Sequence, residues 1–329
     1  MTDISSLPTY DDVAAAAGRI AGTAIMTPVL SHSKLNDAAG ATVLVKAECL
    51  QLTGSFKIRG AMNRLAQISE TGKATGVVAF SSGNHAQGVA RAARLLGMPA
   101  LIVMPEDAPQ VKVDGVLADG ADIHFYDRET ESREEIAEAI AQERGAVLVP
   151  SFNDEMIIAG QGTCGLEFAH QAEAQGGPLD HLICCVGGGG LVTGISLAMA
   201  ELSPTTKIWA AEPQGHDDWK RSLAAGHIQT NEPGTRSICD ALLTPSPGEI
   251  TFAVGKDRLQ GGFAVSDDEA RAAVRFAATQ MKLVAEPGGA VALACALRGL
   301  PDEMRGQRVG VVVTGGNIDP AMLTEILAG

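Results

Sequence analysis

The sequence predicts an α/β fold in which parallel-rich sheets are covered by helices. Along the 329-residue chain, short apolar runs suited to strands alternate with amphipathic segments suited to helices. This alternation is typical of parallel sheets joined by helical crossovers. Strands that are apolar along their whole length are usually covered on both faces, so we expect helices on each side of the sheets. The predicted strands are TVLVKAE, GVVAF, ALIVM, DIHFY, AVLVP, HLICCV, KIWAAE and RVGVVV.

The length predicts two domains, because 329 residues exceed what one small core can organise. Four predicted strands, with three helices between them, lie within residues 76–149. We therefore predict a small domain over residues 76–152, inserted into a large domain formed by residues 1–75 and 153–329. The first helix of the large domain is expected to begin at Thr9, whose hydroxyl can cap it, and to end near Gly22.

The composition is that of an ordinary globular protein, with 46% hydrophobic and 19% charged residues. A net charge of −14, without any Lys/Arg-rich run, opposes binding to nucleic acid or to anionic membranes. The acidic N-terminus lacks the pattern of a signal peptide, and the six cysteines show no CxxC spacing. We therefore expect a cytoplasmic protein with reduced thiols. Residues 182–200 are apolar enough for a membrane span, but their four consecutive glycines predict a strand and a helix instead.

Polar or glycine-rich loops recur at strand ends, which is where open α/β sheets bind ligands. They are SFKIRG at 55–60, SSGNH at 81–85, GGGGL at 187–191 and TGGN at 314–317. The four glycines at 187–190 follow the strand HLICCV and precede the helical LVTGISLAMA, so their N–H groups can converge on an anion such as a phosphate. No glycine stands three positions after the second glycine of their G-x-G pairs, which excludes a dinucleotide fingerprint there. A flexible glycine-rich turn is the alternative.

Two of these loops carry reactive or polar side chains. Lys57 lies between Phe56 and Ile58, an apolar setting that can lower the pKa of its amine and make it nucleophilic toward an aldehyde. An ordinary surface lysine is the alternative. The loop 81–85 opens the helix HAQGVARAARLLG, so its N–H groups and hydroxyls could bind a carboxylate, or could simply cap that helix.

With these loops in place, the chain resembles the fold-type-II pyridoxal-phosphate (PLP) enzymes of the threonine dehydratase and serine racemase group. The resemblance covers nearly the whole chain, because seven motifs occur in the family's order. They are SFKIRGA, SSGNHAQG, GQGT, GGGGL, AAEP, EPGGA and TGGN. The resemblance implies a tryptophan synthase β-like architecture, PLP in a cleft between two domains, a small amino-acid substrate and a homodimer.

The resemblance also implies roles for individual residues toward PLP. Lys57 would carry the cofactor as a Schiff base and remove the substrate's α-proton. Phe56 would lie against the ring, Asn84 would hydrogen-bond its 3-hydroxyl, and Thr314 would contact the pyridine nitrogen. A neutral hydroxyl cannot keep that nitrogen protonated, which favours departure of a β-leaving group. The phosphate would be held by backbone N–H groups of Gly187, Gly188, Gly189, Gly190 and Leu191.

The substrate carboxylate, by the same resemblance, would be received by Ser81, Ser82, Asn84 and His85. The implied reaction is β-elimination of water from a 3-hydroxy amino acid of the L-threonine or L-serine type, or 3-hydroxyaspartate, to give a 2-oxo acid and ammonia. Ser82 would also face the other side of the ring, where a hydroxyl could reprotonate the α-carbon, so racemisation stays open. A β-replacement synthase and a non-catalytic phosphate-binding module are further alternatives.

Two more groups of residues are singled out by comparison with the racemase-like branch. Glu212, Asp218 and the main-chain carbonyl near His216 match a site for Mg²⁺, or for Ca²⁺ or Mn²⁺, and a solvated acidic loop is the alternative. Arg133, Arg236 and Ser237 fall where that branch places residues near the substrate. Either arginine could clamp the second carboxylate of 3-hydroxyaspartate, and ion pairs with nearby acids are the alternative.

Overall fold

The structure is a computed structural model that describes residues 7–72, 75–108 and 110–329. Residues 1–6, which are the expected start of the large domain and part of its acidic N-terminal segment, lie outside these ranges. The strands are β1 (Val29–Leu30), β2 (Thr42–Ala47), β3 (Val77–Phe80), β4 (Ala100–Pro105), β5 (Asp122–Tyr126), β6 (Val147–Leu148), β7 (His181–Cys185), β8 (Lys207–Pro213), β9 (Leu259–Val265) and β10 (Arg308–Val313).

Helices connect these strands. They are α1 (Tyr10–Arg19), α2 (Ser33–Ala39), α3 (Lys57–Thr71), α4 (Asn84–Leu96), α5 (Gln110–Ala118), α6 (Arg133–Arg144), α7 (Glu155–Ala174), α8 (Gly190–Leu202), α9 (Asp218–Ala225), α10 (Glu249–Gly255), α11 (Asp267–Phe276), α12 (Pro287–Leu297) and α13 (Pro320–Ala328). No helix within the described ranges is long and apolar enough to cross a membrane.

The strands form two sheets, and the predicted α/β class with parallel-rich sheets is confirmed. The larger sheet has the order β1-β2-β10-β7-β8-β9, and the smaller has the order β5-β4-β3-β6. Every pairing is parallel except that of β1 with β2. Each sheet draws its strands from only one of the predicted domain ranges, 76–152 for the smaller sheet. The exact domain boundaries stay a prediction.

The edges of some elements differ from the sequence expectation. Helix α1 has Thr9 as its N-cap, with Asp12 completing a capping box, but it ends at Arg19 rather than near Gly22. Gly22 lies in the following turn with a φ of 79°. Strand β9 is absent from the predicted strands, because its sequence LQGGFAV has two glycines at its centre and lacks a continuous apolar run.

Close helix packing places the two elements that carry the predicted cofactor residues. A Cβ built on Gly160 of α7 would lie 2.7 Å from Gly60 Cα of α3, and one built on Gly162 would lie 2.7 Å from the Gly194 carbonyl oxygen of α8. Only glycine allows backbones to approach this closely. The GQGT motif therefore packs α7 against both α3, which begins at Lys57, and α8, which follows the glycine loop.

Candidate active site

The segment that precedes Lys57 is held by the TGGN loop. The backbone N–H of Phe56 donates to the Thr314 carbonyl at 3.1 Å, and Ser55 forms an isolated antiparallel bridge with Gly315. Thr314 is itself buried and follows β10, whose neighbour β7 leads into the glycine loop. Because carboxyl ends of parallel strands meet at one edge of a sheet, Lys57, Thr314 and Gly187 come together there.

The amine of Lys57 lies in a setting that favours its neutral form. Its Nζ donates to the main-chain carbonyl of Ser151 at 2.9 Å and lies 5.2 Å from the centroid of the Phe56 ring. Burial lowers the pKa of Lys57 to about 8, while the negative charge of Glu286 acts in the opposite direction. A lysine with this pKa is a far better nucleophile near neutral pH than an exposed one.

A short ionic network beneath Lys57 fixes the start of α3. The guanidinium of Arg59, which is fully buried, pairs with Glu48 at 2.8 Å and with Glu167 at 2.7 Å. Lys46 pairs with the same Glu167 at 2.6 Å. Two cations and two anions share the network, so its buried charges are compensated. The arginine of the SFKIRG motif therefore positions the turn that carries Lys57.

The loop 81–85 forms the N-terminus of α4. The Gly83 N–H donates to Ser81 Oγ at 3.1 Å, and Ser81 and Ser82 are half-buried. The His85 ring nitrogen Nε2 contacts the Val149 carbonyl at 3.0 Å and so carries the hydrogen. Burial and the charge of Lys57 lower the pKa of His85 to about 3, so its ring is neutral. A substrate carboxylate would thus meet helix N–H groups and hydroxyls here, not an imidazolium.

The side chain of Asn84 is held on two sides by Glu286 and Asn317, two residues that are not among the predicted site residues. Its Nδ2 donates to Glu286 Oε1 at 2.5 Å, and its Oδ1 accepts from Asn317 Nδ2 at 2.7 Å. Glu286 lies in the EPGGA motif and Asn317 in the TGGN motif, so the resemblance to the family could have indicated both as site residues. Glu286 is buried, and desolvation, reinforced by the charge of Asp240, raises its pKa to about 7.

The glycine loop offers free donors for an anion. The backbone N–H groups of Gly187, Gly188 and Gly189 donate no hydrogen bond within residues 7–72, 75–108 and 110–329. Gly189 has a φ of 101° and caps α8. A Cβ on Gly188 would overlap the Phe152 ring, and one on Gly189 would overlap Trp219. These orphan donors at a helix N-terminus fit a phosphate.

Together, these groups match the functional parts of PLP. Lys57 could react with its aldehyde, and the glycine loop could bind its phosphate. Asn84 could donate to its 3-hydroxyl. Thr314, at the end of β10 next to β7, could contact its ring nitrogen. Leu191 and Gly190 begin α8 and are buried behind the loop. The individual roles remain predictions.

The residues predicted to hold a cation lie at the next strand end. Glu212 is fully buried and accepts from the N–H groups of Trp219 and Lys220 at 2.8 and 2.9 Å. Asp218 accepts from Asn231 through Oδ1, whereas its buried Oδ2 has no partner among the described residues. The ring nitrogens of His216 are also buried without partners there. No cluster of three or more His, Cys, Asp or Glu side chains suited to a metal is found in the described part of the chain.

The three residues Arg133, Arg236 and Ser237, which are predicted to lie near the substrate, have different surroundings in the structure. Arg133 pairs with Glu134 at 2.8 Å and lies 5.3 Å above the ring of Phe80, next to Ser81. Arg236 is exposed and forms no hydrogen bond or ion pair within the described ranges. Ser237 Oγ donates to Asp267 at 2.6 Å and is thereby engaged at the N-terminus of α11.

The fold and site define a PLP-dependent enzyme. A family model described as "Pyridoxal-phosphate dependent enzyme" matches residues 20–315, and the chain belongs to that family. The chain is 45% identical over 326 residues to L-threo-3-hydroxyaspartate ammonia-lyase of Pseudomonas sp, covering 98% of this chain and 99% of the relative. It is 39% identical to serine racemase of Schizosaccharomyces pombe, covering 97% of each.

Solved structures agree with these similarities. Maize serine racemase superposes with a TM-score of 0.90 at 37% identity, covering 98% of both chains. A threonine deaminase from T.th. superposes with a TM-score of 0.88 at 42% identity, covering 95% of this chain and 99% of that one. The predicted membership of the threonine dehydratase and serine racemase group is therefore confirmed.

Proposed function

We propose that this protein is a PLP-dependent ammonia-lyase that removes water and then ammonia from a 3-hydroxy amino acid, and that 3-hydroxyaspartate is its preferred substrate. The observation that carries the proposal is that Lys57 lies close to both the glycine loop and loop 81–85. Its Nζ donates to Ser151, the neighbour of the Phe152 that packs on Gly188. Its charge also acts on the buried ring of His85. Its relatives include an L-threo-3-hydroxyaspartate ammonia-lyase, which supports the choice of substrate.

The residues of the site have complementary tasks in this reaction. PLP, when bound, supplies an aldehyde that condenses with amines and a ring that accepts electrons from the α-carbon. Nζ of Lys57 receives the α-proton, a task suited to an amine whose pKa is near 8. The N–H groups and hydroxyls of loop 81–85 hold the α-carboxylate. The β-carbon–oxygen bond then breaks, the hydroxyl leaves as water after gaining a proton, and the released enamine hydrolyses to a 2-oxo acid and ammonia.

Racemisation and β-replacement are the rival reactions at the same site. A racemase would return a proton to the opposite face of the α-carbon, and the hydroxyl of Ser82 is suited to that step. A β-replacement synthase would add a second nucleophile instead of releasing a 2-oxo acid. Thr314 presents a neutral hydroxyl, and elimination is favoured where the ring nitrogen is not kept protonated.

A substrate panel tests the proposal. We expect both ammonia and 2-oxo acid from 3-hydroxyaspartate, with a higher kcat/KM than for L-serine or L-threonine. Each stereoisomer of 3-hydroxyaspartate should be assayed separately. The α-configuration decides whether the α-proton can face Lys57, and the β-configuration decides where the leaving hydroxyl lies. Efficient turnover of L-serine or L-threonine without turnover of either diastereomer would overturn the choice of substrate.

We further propose that Glu212, Asp218 and the main-chain carbonyl of His216 bind Mg²⁺, with Ca²⁺ or Mn²⁺ as alternatives. Support comes from the buried Asp218 Oδ2, which has no partner among the described residues. Burial raises the pKa of Asp218 to about 6 and that of Glu212 well above its usual value. A cation would compensate both carboxylates and supply the missing partner.

A homodimer and a cytoplasmic location complete the proposal. Ile25, Met26, Leu50 and Val284 form an apolar patch in which each residue is between 47% and 68% exposed. They are neighbours, because Gln51 hydrogen-bonds Ile25, and Cys49 and Val284 both lie close to Gly316. A second copy would cover such a patch. Met26→Asp should yield monomers in sedimentation, whereas Leu327→Asp should not.

The cytoplasmic location is supported by the cysteines. All six are buried free thiols, as expected in a reducing compartment.

A further inference from the structure

A second lysine lies beside the loop that is proposed to hold the α-carboxylate. Lys112, on α5, has a side chain that is only 11% exposed. Its Nζ would lie 3.9 Å from a Cβ built on Gly83, at the centre of loop 81–85. Its ion-pair partner is Asp240, at 2.5 Å, whose side chain is 54% exposed. The ammonium is therefore held at the loop by a carboxylate that faces solvent.

The same ion pair lies close to the residues around Lys57. Asp240, Lys112 and Lys57 all act electrostatically on Glu286, and Glu286 contacts Asn84 directly. Residue 112 lies on an element of the smaller sheet's part of the chain, and residue 240 lies between two strands of the larger sheet. The pair thus bridges the two parts of the molecule next to loop 81–85.

A substrate with two carboxylates needs a second cation, because the net charge of −14 repels anions. Arg236 is exposed, and Arg133 is paired with Glu134 over the Phe80 ring. Lys112 differs from both in being largely buried and in lying against the carboxylate loop itself.

We propose that Lys112 binds the β-carboxylate of a dicarboxylic substrate and that Asp240 occupies its ammonium until the substrate arrives. This assignment rests on the proposed preference for 3-hydroxyaspartate and names the residue that confers it. Exchange of one carboxylate for another keeps the buried ammonium paired throughout. L-Serine and L-threonine lack a second carboxylate, so the pair with Asp240 persists while they are bound.

The test compares four holoenzyme variants on 3-hydroxyaspartate and L-serine. Lys112→Gln should lower kcat/KM for 3-hydroxyaspartate by about tenfold or more while changing that for L-serine far less, because one charge-assisted hydrogen bond is lost. Asp240→Asn should lower KM for 3-hydroxyaspartate, because its competitor for the ammonium is gone. Arg133→Gln tests the rival cation, and Lys256→Gln, at an exposed lysine, is the matched control.

Ligand binding provides a readout that does not depend on turnover. L-Aspartate carries both carboxylates without a leaving group, and L-asparagine is its neutral counterpart. We expect L-aspartate to raise the unfolding temperature of the wild-type holoenzyme more than L-asparagine does, and this difference to vanish in Lys112→Gln. If wild type does not turn over 3-hydroxyaspartate, the proposed function fails, and the assignment of Lys112 is still judged by these shifts. Equal losses on both substrates, selective loss in Arg133→Gln alone, or an undiminished aspartate preference in Lys112→Gln would overturn it.

Discussion

The side-chain amide of Asn84 donates a hydrogen bond of 2.5 Å to Oε1 of the buried Glu286. From the other side, Asn317 Nδ2 donates a hydrogen bond to the amide oxygen of Asn84. The amide is therefore oriented, and its second N–H is left for a ligand. A buried carboxylate thus orients the residue expected to contact the 3-hydroxyl of PLP. Because Glu286 also acts electrostatically on Lys57, it links the orientation of the Asn84 amide to the protonation of Lys57.

Glu286 should make the stability of the apoenzyme depend on pH. Its pKa is raised from 4.5 to about 7 on folding. The contribution of Glu286 to the free energy of unfolding is therefore fully present below pH 4.5 and is lost as the pH rises through 7. The difference between the two pKa values corresponds to about 3 kcal/mol. Glu286→Gln should therefore be more stable relative to wild type at pH 8 than at pH 5, by urea unfolding. The exposed Glu201→Gln should show no such trend, and a parallel pH profile for wild type and Glu286→Gln would contradict the role of Glu286.

The pKa of Lys57 should appear in the rate at which the apoenzyme captures PLP. The neutral amine attacks the aldehyde, so the rate should rise with pH and level off above about 8, the pKa of Lys57. Borohydride reduction at fixed times, followed by mass analysis of the peptide containing Lys57, measures this rate. In Glu286→Gln the midpoint should move to lower pH, because the charge that raises the pKa is removed. A rate that climbs without a plateau to pH 10 would indicate an ordinary exposed lysine.

The glycine loop should tolerate no side chain at its centre. Gly188→Ala places a methyl group against the ring of Phe152 and would displace the N–H groups that are proposed to hold the phosphate. We expect PLP to dissociate from this variant at least about tenfold more readily, the loss of one hydrogen bond to a charged group. Gly18→Ala is the control, since a Cβ there meets no atom within 4 Å. Equal PLP retention in both variants, measured by absorbance after gel filtration, would place the phosphate elsewhere.

Removal of divalent cations should destabilise the holoenzyme. A cation bound to Glu212 and Asp218 stabilises only the folded state, so EDTA should lower the unfolding temperature and added Mg²⁺ should restore it. Asp218→Asn should lose the response to both reagents, because its orphan carboxylate oxygen is replaced. The exposed Asp302→Asn should keep the wild-type response. An unfolding temperature that neither EDTA nor any divalent ion changes would refute the cation site.

Much of this site can be predicted because its residues are contiguous in sequence. Lys57 and the glycine loop each lie in one short segment after a strand. An apolar run followed by such a loop is visible in the sequence, so it predicts where these residues lie. Glu286 lies in the EPGGA motif, but its contact with Asn84 spans 202 residues, so its role cannot be predicted before the chain is folded. Arg236 is predicted to lie near the substrate from the resemblance to the racemase-like branch, yet only the structure shows that it is exposed. Lys112 carries no local signal, since α5 acquires its place beside loop 81–85 through packing alone.

The most direct test of the central claim is the product balance of wild-type holoenzyme incubated with 3-hydroxyaspartate. Ammonia, 2-oxo acid and both enantiomers of the remaining substrate should be measured in the same reaction. We predict ammonia and oxaloacetate in equal amounts, matching the substrate consumed, with little of the opposite configuration formed at the α-carbon. Inversion of the α-carbon without release of ammonia would contradict β-elimination and identify a racemase.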